Sequence, residues 1–223
     1  MKAMILAAGR GERMRPLTDH TPKPLLSAAG KPLIVHTIEQ LVAAGYHEII
    51  INHAHLGQQI EQSLGNGNQF GAEIRYSPEG NQALETAGGI INALPLLNNE
   101  VFLVVNGDIA TDLPFSELKT QPVDLAHLVL VKNPVHNPNG DFGLESTGSI
   151  SDTLTKKFTF SGIGLYHPEL FRRFPNGIRK LLPVLMQGIA EQRVSGQLYS
   201  GFWMDIGTPQ RLQELDSYYQ QRR

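Results

Sequence analysis

The chain has 223 residues, 41% of them hydrophobic and 18% charged, with a formal net charge of −2 and no cysteine. That length supports one sizeable core, and the slight acidity argues against a nucleic-acid binder, which normally carries a basic surplus. The missing cysteines exclude disulfides, thiolate metal sites and cysteine nucleophiles. No apolar run approaches the ~18 residues of a transmembrane span, and the opening Met1 to Gly9 is too short for a secretory core. The expectation is a cytoplasmic protein with no membrane and no nucleic-acid partner.

In chain order, short aliphatic runs ending at Gly, Asn or Asp read as strands: Ala3–Ala7, Glu48–Asn52, Glu73–Tyr76, Val101–Val105, Leu125–Val131 and Phe160–Tyr166. Between the early ones lie helical periodicities. Ile34, Ile38, Leu41 and Val42 share one face, and Gly45 is placed to end that helix. Gln58 to Leu64 gives a shorter helix, and Thr86 to Leu94 another that Pro95 should stop. Residues 132–151 are rich in Asn, Pro, Gly and Ser, and Glu145-Ser-Thr-Gly-Ser149 reads as a hairpin turn. Ile178 to Ala190 looks helical despite Pro183, and Thr208-Pro209 offers an N-cap and a first-turn proline for a last helix.

Strand alternating with helix predicts an α/β fold, a Rossmann-like, mostly parallel or mixed sheet flanked by helices. A small antiparallel lobe is expected from the second half. We expect a single domain over residues 1–223, split near residue 124 into two functional halves.

The first strand runs into Leu6-Ala-Ala-Gly-Arg-Gly-Glu-Arg-Met14. Small residues from Ala7 to Gly11 let backbone N–H groups approach a ligand closely, as in phosphate-cradling turns. Arg10, Arg13 and Arg15 add guanidinium donors suited to phosphate oxygens. The dinucleotide pattern is excluded, because its third glycine would fall on Met14, and no Gly-Lys-Ser/Thr closes a P-loop. Pro22 and Pro24 restrict the backbone around Lys23 to extended conformations, although an exposed loop lysine is the plainer reading in isolation. Asn106-Gly-Asp108 ends an apolar strand, where ligands of open parallel sheets bind, but an Asx turn would look the same. Asp205, in Trp203-Met-Asp-Ile-Gly-Thr208, is a second isolated carboxylate just before a helix. Two separated carboxylates completed by substrate phosphates suit Mg²⁺.

Taken together, Leu6 to Met14, Pro22-Lys23-Pro24, Asn106-Gly-Asp108 and Trp203 to Thr208 resemble the sugar-1-phosphate nucleotidyltransferase family, in order and across essentially the whole chain. The resemblance implies transfer of a nucleotidyl group, UMP from UTP, to a sugar 1-phosphate with release of pyrophosphate. It implies that the half before residue 124 binds the nucleotide and the rest the sugar. The backbone of Ala8, Gly9, Gly11, Glu12 and Arg13 would wrap the nucleotide, with Arg13 and Lys23 on its phosphates as the catalytic cations. Asp108 and Asp205 would hold Mg²⁺. Glu79, Gln82, Thr86 and Gly88 would lie along the base, and Asn106, Gly143, Glu145, Ser161 and Gly162 would meet the sugar.

Two departures stand out. Many relatives have glycine where Glu85 stands, and the Glu-Lys-Pro common in the sugar half is absent, Lys156-Lys157 being no clean replacement. Because an acceptor phosphate is already anionic, no general base is required and no histidine is given a role. His53-Ala-His55 is expected to be a strand end and not a metal site. Rival readings are a mannose-1-phosphate guanylyltransferase, a phosphocholine cytidylyltransferase, or a catalytically inactive nucleotide-sugar-binding module. The bare domain is expected to be a monomer.

Overall fold

A computed structural model describes residues 1–80 and 82–222. Its main sheet has seven strands: β1 (Ala3–Leu6), β2 (Glu48–His53), β3 (Glu73–Pro78), β4 (Phe102–Asn106), β5 (Ala126–Val131), β6 (Thr159–Tyr166) and β7 (Val194–Tyr199). They lie in the order β7-β5-β6-β4-β1-β2-β3. Only β6 runs against its neighbours; the β1–β2, β1–β4, β2–β3 and β5–β7 pairs are parallel.

Because side chains alternate across a strand, β1 and β2 supply both layers of core. Ala3, Ile5, Ile49 and Ile51 face α1 (Leu33–Ala43) and α2 (Gly57–Leu64). Met4 and Ile50 face α3 (Glu85–Leu97) and α4 (Leu181–Ala190). A third, smaller cluster gathers Met14, Leu26, Ile206 and Leu215 beneath α5 (Pro209–Gln220). Thr208 caps α5 by accepting from the Arg211 N–H at 3.3 Å, with Pro209 first in the helix, as its sequence signals require.

Proline shifts two expected boundaries. Helix α3 does not stop at Leu94 but runs through Pro95 to Leu97. Near the C-terminal end the proline costs the helix one bond, to the Ile91 carbonyl, and only two residues follow it. Helix α4 starts at Leu181 instead of Ile178, with Pro183 in its first turn, where no N–H is needed.

The second half also departs from expectation. Strands β5, β6 and β7 extend the central sheet itself, and β7 pairs parallel to β5. The separate antiparallel lobe shrinks to a hairpin of Gly143–Leu144 with Ile150–Ser151, turned by the Glu145 segment with the Gly148 N–H donating to the Glu145 carbonyl at 3.0 Å. The other small ladder matters more for position. Trp203–Asp205 runs antiparallel to Ile109–Thr111, bringing the chain beside α5 back to the end of β4.

Chain order reverses at β1: the first crossover leads to β2 and β3, and the return from β3 places β4 on the opposite side. Such a reversal opens a crevice beyond the carboxyl ends of the strands. Leu6, Asn52 and Asn106 are in register there. Among the described residues, no helix is long and apolar enough to cross a membrane.

Candidate active site

That crevice is a cavity of about 530 Å³, within the usual range for a small-molecule site. Its floor is the signature loop, Leu6 to Met14. On the β2–β3 side it is lined by Asn52, Glu79, Ala83, Glu85 and Thr86, and on the β4 side by Asn106, Gly107 and Asp108, with Lys23, Pro24 and Gly207 at the rim.

The loop turns at Gly11, whose φ of 68° is left-handed, and there a side chain would press on Thr18 and Lys23. The Thr18 hydroxyl donates to the Gly11 carbonyl at 2.9 Å, pinning the turn. Lys23 opens a single 3-10 turn, Lys23–Leu25, so the backbone there is not extended as the flanking prolines suggested. Pro22 alone holds the extended geometry, and the Leu25 N–H closes the turn on its carbonyl at 2.8 Å. The lysine is buried instead of exposed, and its Nζ reaches Asp108 Oδ2 at 2.5 Å.

Asp205 arrives on the small ladder, and the Ile206 N–H donates to the Asp108 carbonyl at 2.7 Å. In that ladder Asp205 pairs with Ile109, the residue after Asp108, so the two aspartates lie on adjoining stretches of backbone. Trp203 Nε1 donates to the Ser161 carbonyl at 3.0 Å, anchoring this strand against β6. The Asp205 carboxylate accepts from Arg211 Nη1 and lies 3.1 Å from His136 Nε2. A Cβ on Gly207 would come within 2.6 Å of Arg211 and 3.1 Å of Arg13, so both guanidinium groups converge beside it. Arg13 has no ion pair among the described residues, whereas Arg15 pairs with Asp19 at 2.6 Å outside the cavity.

On the opposite wall a buried relay ties the loops together. The Ala7 N–H donates to Asn52 Oδ1 at 2.9 Å, Asn52 Nδ2 to Glu79 Oε1 at 2.6 Å, and the Leu84 N–H to Glu79 Oε2 at 2.6 Å. Burial pushes the Glu79 carboxyl above its usual range, opposed by the hydrogen bonds from Leu84 and Asn52. Gly89 makes room for this relay, since a Cβ there would sit 2.4 Å from Glu79 Oε1. Both Glu79 oxygens are thus engaged by protein.

The structure gathers Ala8, Gly9, Gly11, Glu12, Arg13, Lys23, Glu79, Thr86, Asn106 and Asp108 around one cavity. Gln82 and Gly88 belong to the same segment but do not line it, and Asn81, just before Gln82, lies outside the described residues. Gly162 approaches Asn106, with φ of 76° at the bulge in β6. Gly143 and Glu145 sit on the small hairpin and not on the cavity wall. Ser161 is buried, its hydroxyl donating to the Val129 carbonyl at 2.7 Å, so its side chain serves the sheet. His53 is bound to Glu61 at 2.6 Å.

Asn52, Gly207, Arg211 and His136 were not singled out from the sequence. Only Gly207, inside the Trp203 to Thr208 motif, and Arg211, three residues after it, carried a local signal. Among the described residues no group of three or more His, Asp or Glu forms a metal cage. Two separated oxygen-donor carboxylates nevertheless have the chemistry for a hard divalent ion that substrate phosphates would complete.

The nucleotidyl transferase family model matches residues 2–159. The chain is 54% identical to the N-acetylmuramate alpha-1-phosphate uridylyltransferase of Neisseria meningitidis serogroup B, over 97% of each protein. It is 32% identical to the protein of that name from Caulobacter vibrioides, over 93% of this chain and 92% of that one. It is also 32% identical to the catalytic subunit beta of Drosophila melanogaster mannose-1-phosphate guanylyltransferase, over 93% of this chain but only 60% of that protein's length. A crystal structure of a Bacillus anthracis protein assigned as a glucose-1-phosphate thymidylyltransferase superimposes with a TM-score of 0.85 at 24% identity, covering 98% of this chain and 94% of that one.

Proposed function

Since the chain belongs to the nucleotidyl transferase family, we propose that it transfers UMP from UTP to N-acetylmuramic acid α-1-phosphate, forming UDP-N-acetylmuramic acid and pyrophosphate. The likeness that carries the substrate is the 54% identity over 97% of a uridylyltransferase with that acceptor in its name. In this reading the enzyme works in the cytoplasm, in recycling of the cell wall. One domain carries both substrates, the nucleotide on the half before about residue 124 and the sugar on the rest.

The geometry supports the reaction through one convergence. Lys23, Arg13 and Asp108, far apart in sequence, line one cavity, and Asp205 lies on the adjoining strand that leads to Gly207 at its rim. Asp108 and Asp205 would hold Mg²⁺ together with the nucleotide phosphates, and the ion would supply charge neutralisation at the transferring phosphorus. The backbone of Gly9 to Arg13 wraps the phosphates, while Lys23 and Arg13 stabilise the charge that builds on the pyrophosphate. An oxygen of the acceptor phosphate attacks the α-phosphorus as the bond to the bridging oxygen breaks opposite. The attacking oxygen is already anionic, so holding the two substrates in line replaces a general base. Glu79 and Thr86 lie on the nucleoside side, and Asn106 and Gly162 on the acceptor side.

The testing experiment mixes UTP, Mg²⁺ and N-acetylmuramic acid α-1-phosphate and follows pyrophosphate release. Release with UTP and not with GTP or CTP is expected. Preference for GTP with mannose 1-phosphate would favour the guanylyltransferase reading. No release with any pair would leave a nucleotide-sugar-binding module, a reading disfavoured by the presence of all four charged groups.

A further inference from the structure

We infer that Glu85 is a specificity residue for the nucleotide, its carboxylate receiving the ribose 2′- and 3′-hydroxyls. This rests on the reading of the cavity as a nucleotide site and names the part of the nucleotide that Glu85 recognises.

The first observation is conformational. Glu85 has φ of 62°, in the left-handed region that a side chain with a Cβ occupies at a cost and glycine occupies freely. The surroundings leave it no choice. On one side, the Leu84 N–H is held by Glu79 Oε2 at 2.6 Å and the Leu84 carbonyl by the Arg179 N–H at 2.9 Å. On the other, the Ala87 and Gly88 N–H groups donate to the Arg179 carbonyl at 3.0 and 3.1 Å. Five residues are thus clamped from both ends, and the strain falls on position 85. Strained non-glycine positions of this kind cluster where a side chain is used.

The second observation is placement. Glu85 lines the cavity beside Ala83 and Thr86, on the wall away from Lys23, Asp108 and Gly207. With the phosphates drawn to those groups and to Arg13, the nucleoside faces Glu85. Among the described residues Glu85 forms no hydrogen bond or ion pair, whereas Glu79 has both oxygens engaged by Asn52 and Leu84. The guanidinium of Arg179, on the segment that clamps this turn, lies over the Phe174 ring at 4.9 Å. Glu85 is accordingly the carboxylate on this wall free to accept from ligand.

Chemistry then selects the partner. An ionised carboxylate only accepts, through two adjacent oxygens. The uracil edge offers one N–H between two carbonyl oxygens, which would repel it. The ribose offers two vicinal O–H donors, a match that acidic residues make in other nucleotide sites. A negative charge at the start of α3 also interacts favourably with the helix dipole, but that interaction is indifferent to the ligand.

The test is equilibrium binding of UTP and 2′-deoxy-UTP, each with Mg²⁺, to the wild-type protein, Glu85→Gly and Glu85→Gln. No acceptor or turnover is needed, so failure of the acceptor assignment cannot mask the result. The wild type is expected to bind UTP about tenfold or more tightly than the deoxynucleotide, the effect of one hydrogen bond to a charged group. Glu85→Gly should bring the two within about threefold while melting no lower than a few degrees below wild type. Glu85→Gln, with one acceptor oxygen left, should retain part of the preference. An unchanged ratio in Glu85→Gly, or a wild type without preference, overturns the assignment and leaves Glu85 a helix-terminal charge.

Discussion

Lys23 Nζ and Asp108 Oδ2 lie 2.5 Å apart, an ion pair joining the turn after the signature loop to the end of β4. The lysine side chain is 10% exposed and the aspartate 33%, so the cation is fixed while the carboxylate still meets solvent. A preorganised charge of this kind is worth most at a transition state, where it needs no reorganisation.

Lys23→Ala should therefore lower turnover by about a hundredfold or more, the usual effect of deleting one such group. The fold should survive, because the Asp108 carboxylate left behind is open to water and a partly exposed pair contributes little stability. Steady-state kcat with a thermal melt reads both. Turnover within a few fold of wild type would remove Lys23 from the chemistry.

Asp205 is held in the same manner by Arg211, with His136 Nε2 3.1 Å away. A divalent cation at Asp108 and Asp205 must therefore compete with a guanidinium already in place. Asp108→Asn and Asp205→Asn should each cripple turnover, and chelator should abolish it until Mg²⁺ is restored. Arg211→Gln should lower the Mg²⁺ concentration giving half-maximal rate, since like-charge competition is removed. A higher requirement in that variant would mean that Arg211 orients Asp205 for the metal. Tight Mg²⁺ binding without nucleotide, seen by calorimetry, would contradict a site of only two carboxylates.

What the sequence made legible follows from how far each signal reaches along the chain. The loop Leu6 to Met14, Lys23 between its prolines, Asp108 after β4 and Asp205 before α5 are each marked by adjacent residues. The structure lines one crevice with the loop, Lys23 and Asp108, and the Asp205 strand adjoins it through Gly207. Asn52 was read only as the end of a strand, because its role depends on Ala7 and Glu79, 45 and 27 residues away. His136 reaches Asp205 only through the path of the loop after β5. The direction of the Ser161 side chain was illegible for a different reason. At a bulge the alternation of faces is broken, so sequence parity cannot say that its hydroxyl turns to Val129. The prolines at 95 and 183 misled because their meaning depends on which helical turn they occupy.

The Glu79 relay makes a pH prediction. Its folded-state carboxyl is raised above the usual value of 4.5, chiefly by burial. A raised acid binds its proton more tightly when folded, so its contribution to stability is complete below the unfolded value and is lost as pH rises through the folded one. Glu79→Gln keeps an acceptor for Asn52 but turns an N–H donor toward the Leu84 N–H, a pH-independent cost of about 1–3 kcal/mol. Plotted against pH, the stability of wild type relative to this variant should decline above about 4.5 and then level off. Urea melts across that range provide the measurement. A flat difference would mean that the burial of Glu79 has no energetic consequence.

The acceptor gives the last prediction. N-acetylmuramic acid differs from N-acetylglucosamine by a lactyl ether that adds bulk and a carboxylate. Extra bulk alone discriminates little, because an open pocket accepts the smaller sugar as well. Selection must come from a partner for the carboxylate, whose loss leaves that partner unsatisfied. Among the sugar-side residues expected from sequence, Asn106 and Gly162 stand at or beside the cavity and carry no charge, while the Glu145 carboxylate has the wrong sign. Lys156 lies over the Phe158 ring at 5.5 Å, and the basic side chains beside Asp205 are Arg211 and His136. One charge-assisted contact from that pair corresponds to roughly ten- to a hundredfold in kcat/KM. N-acetylglucosamine 1-phosphate should accordingly react with UTP, slower than N-acetylmuramic acid α-1-phosphate by that factor. Comparing kcat/KM for the two acceptors at saturating UTP decides the matter. Equal values would mean that the site merely has room for the lactyl group. Preference for the sugar lacking it would overturn the acceptor while leaving the transfer of a nucleotidyl group to a sugar phosphate intact.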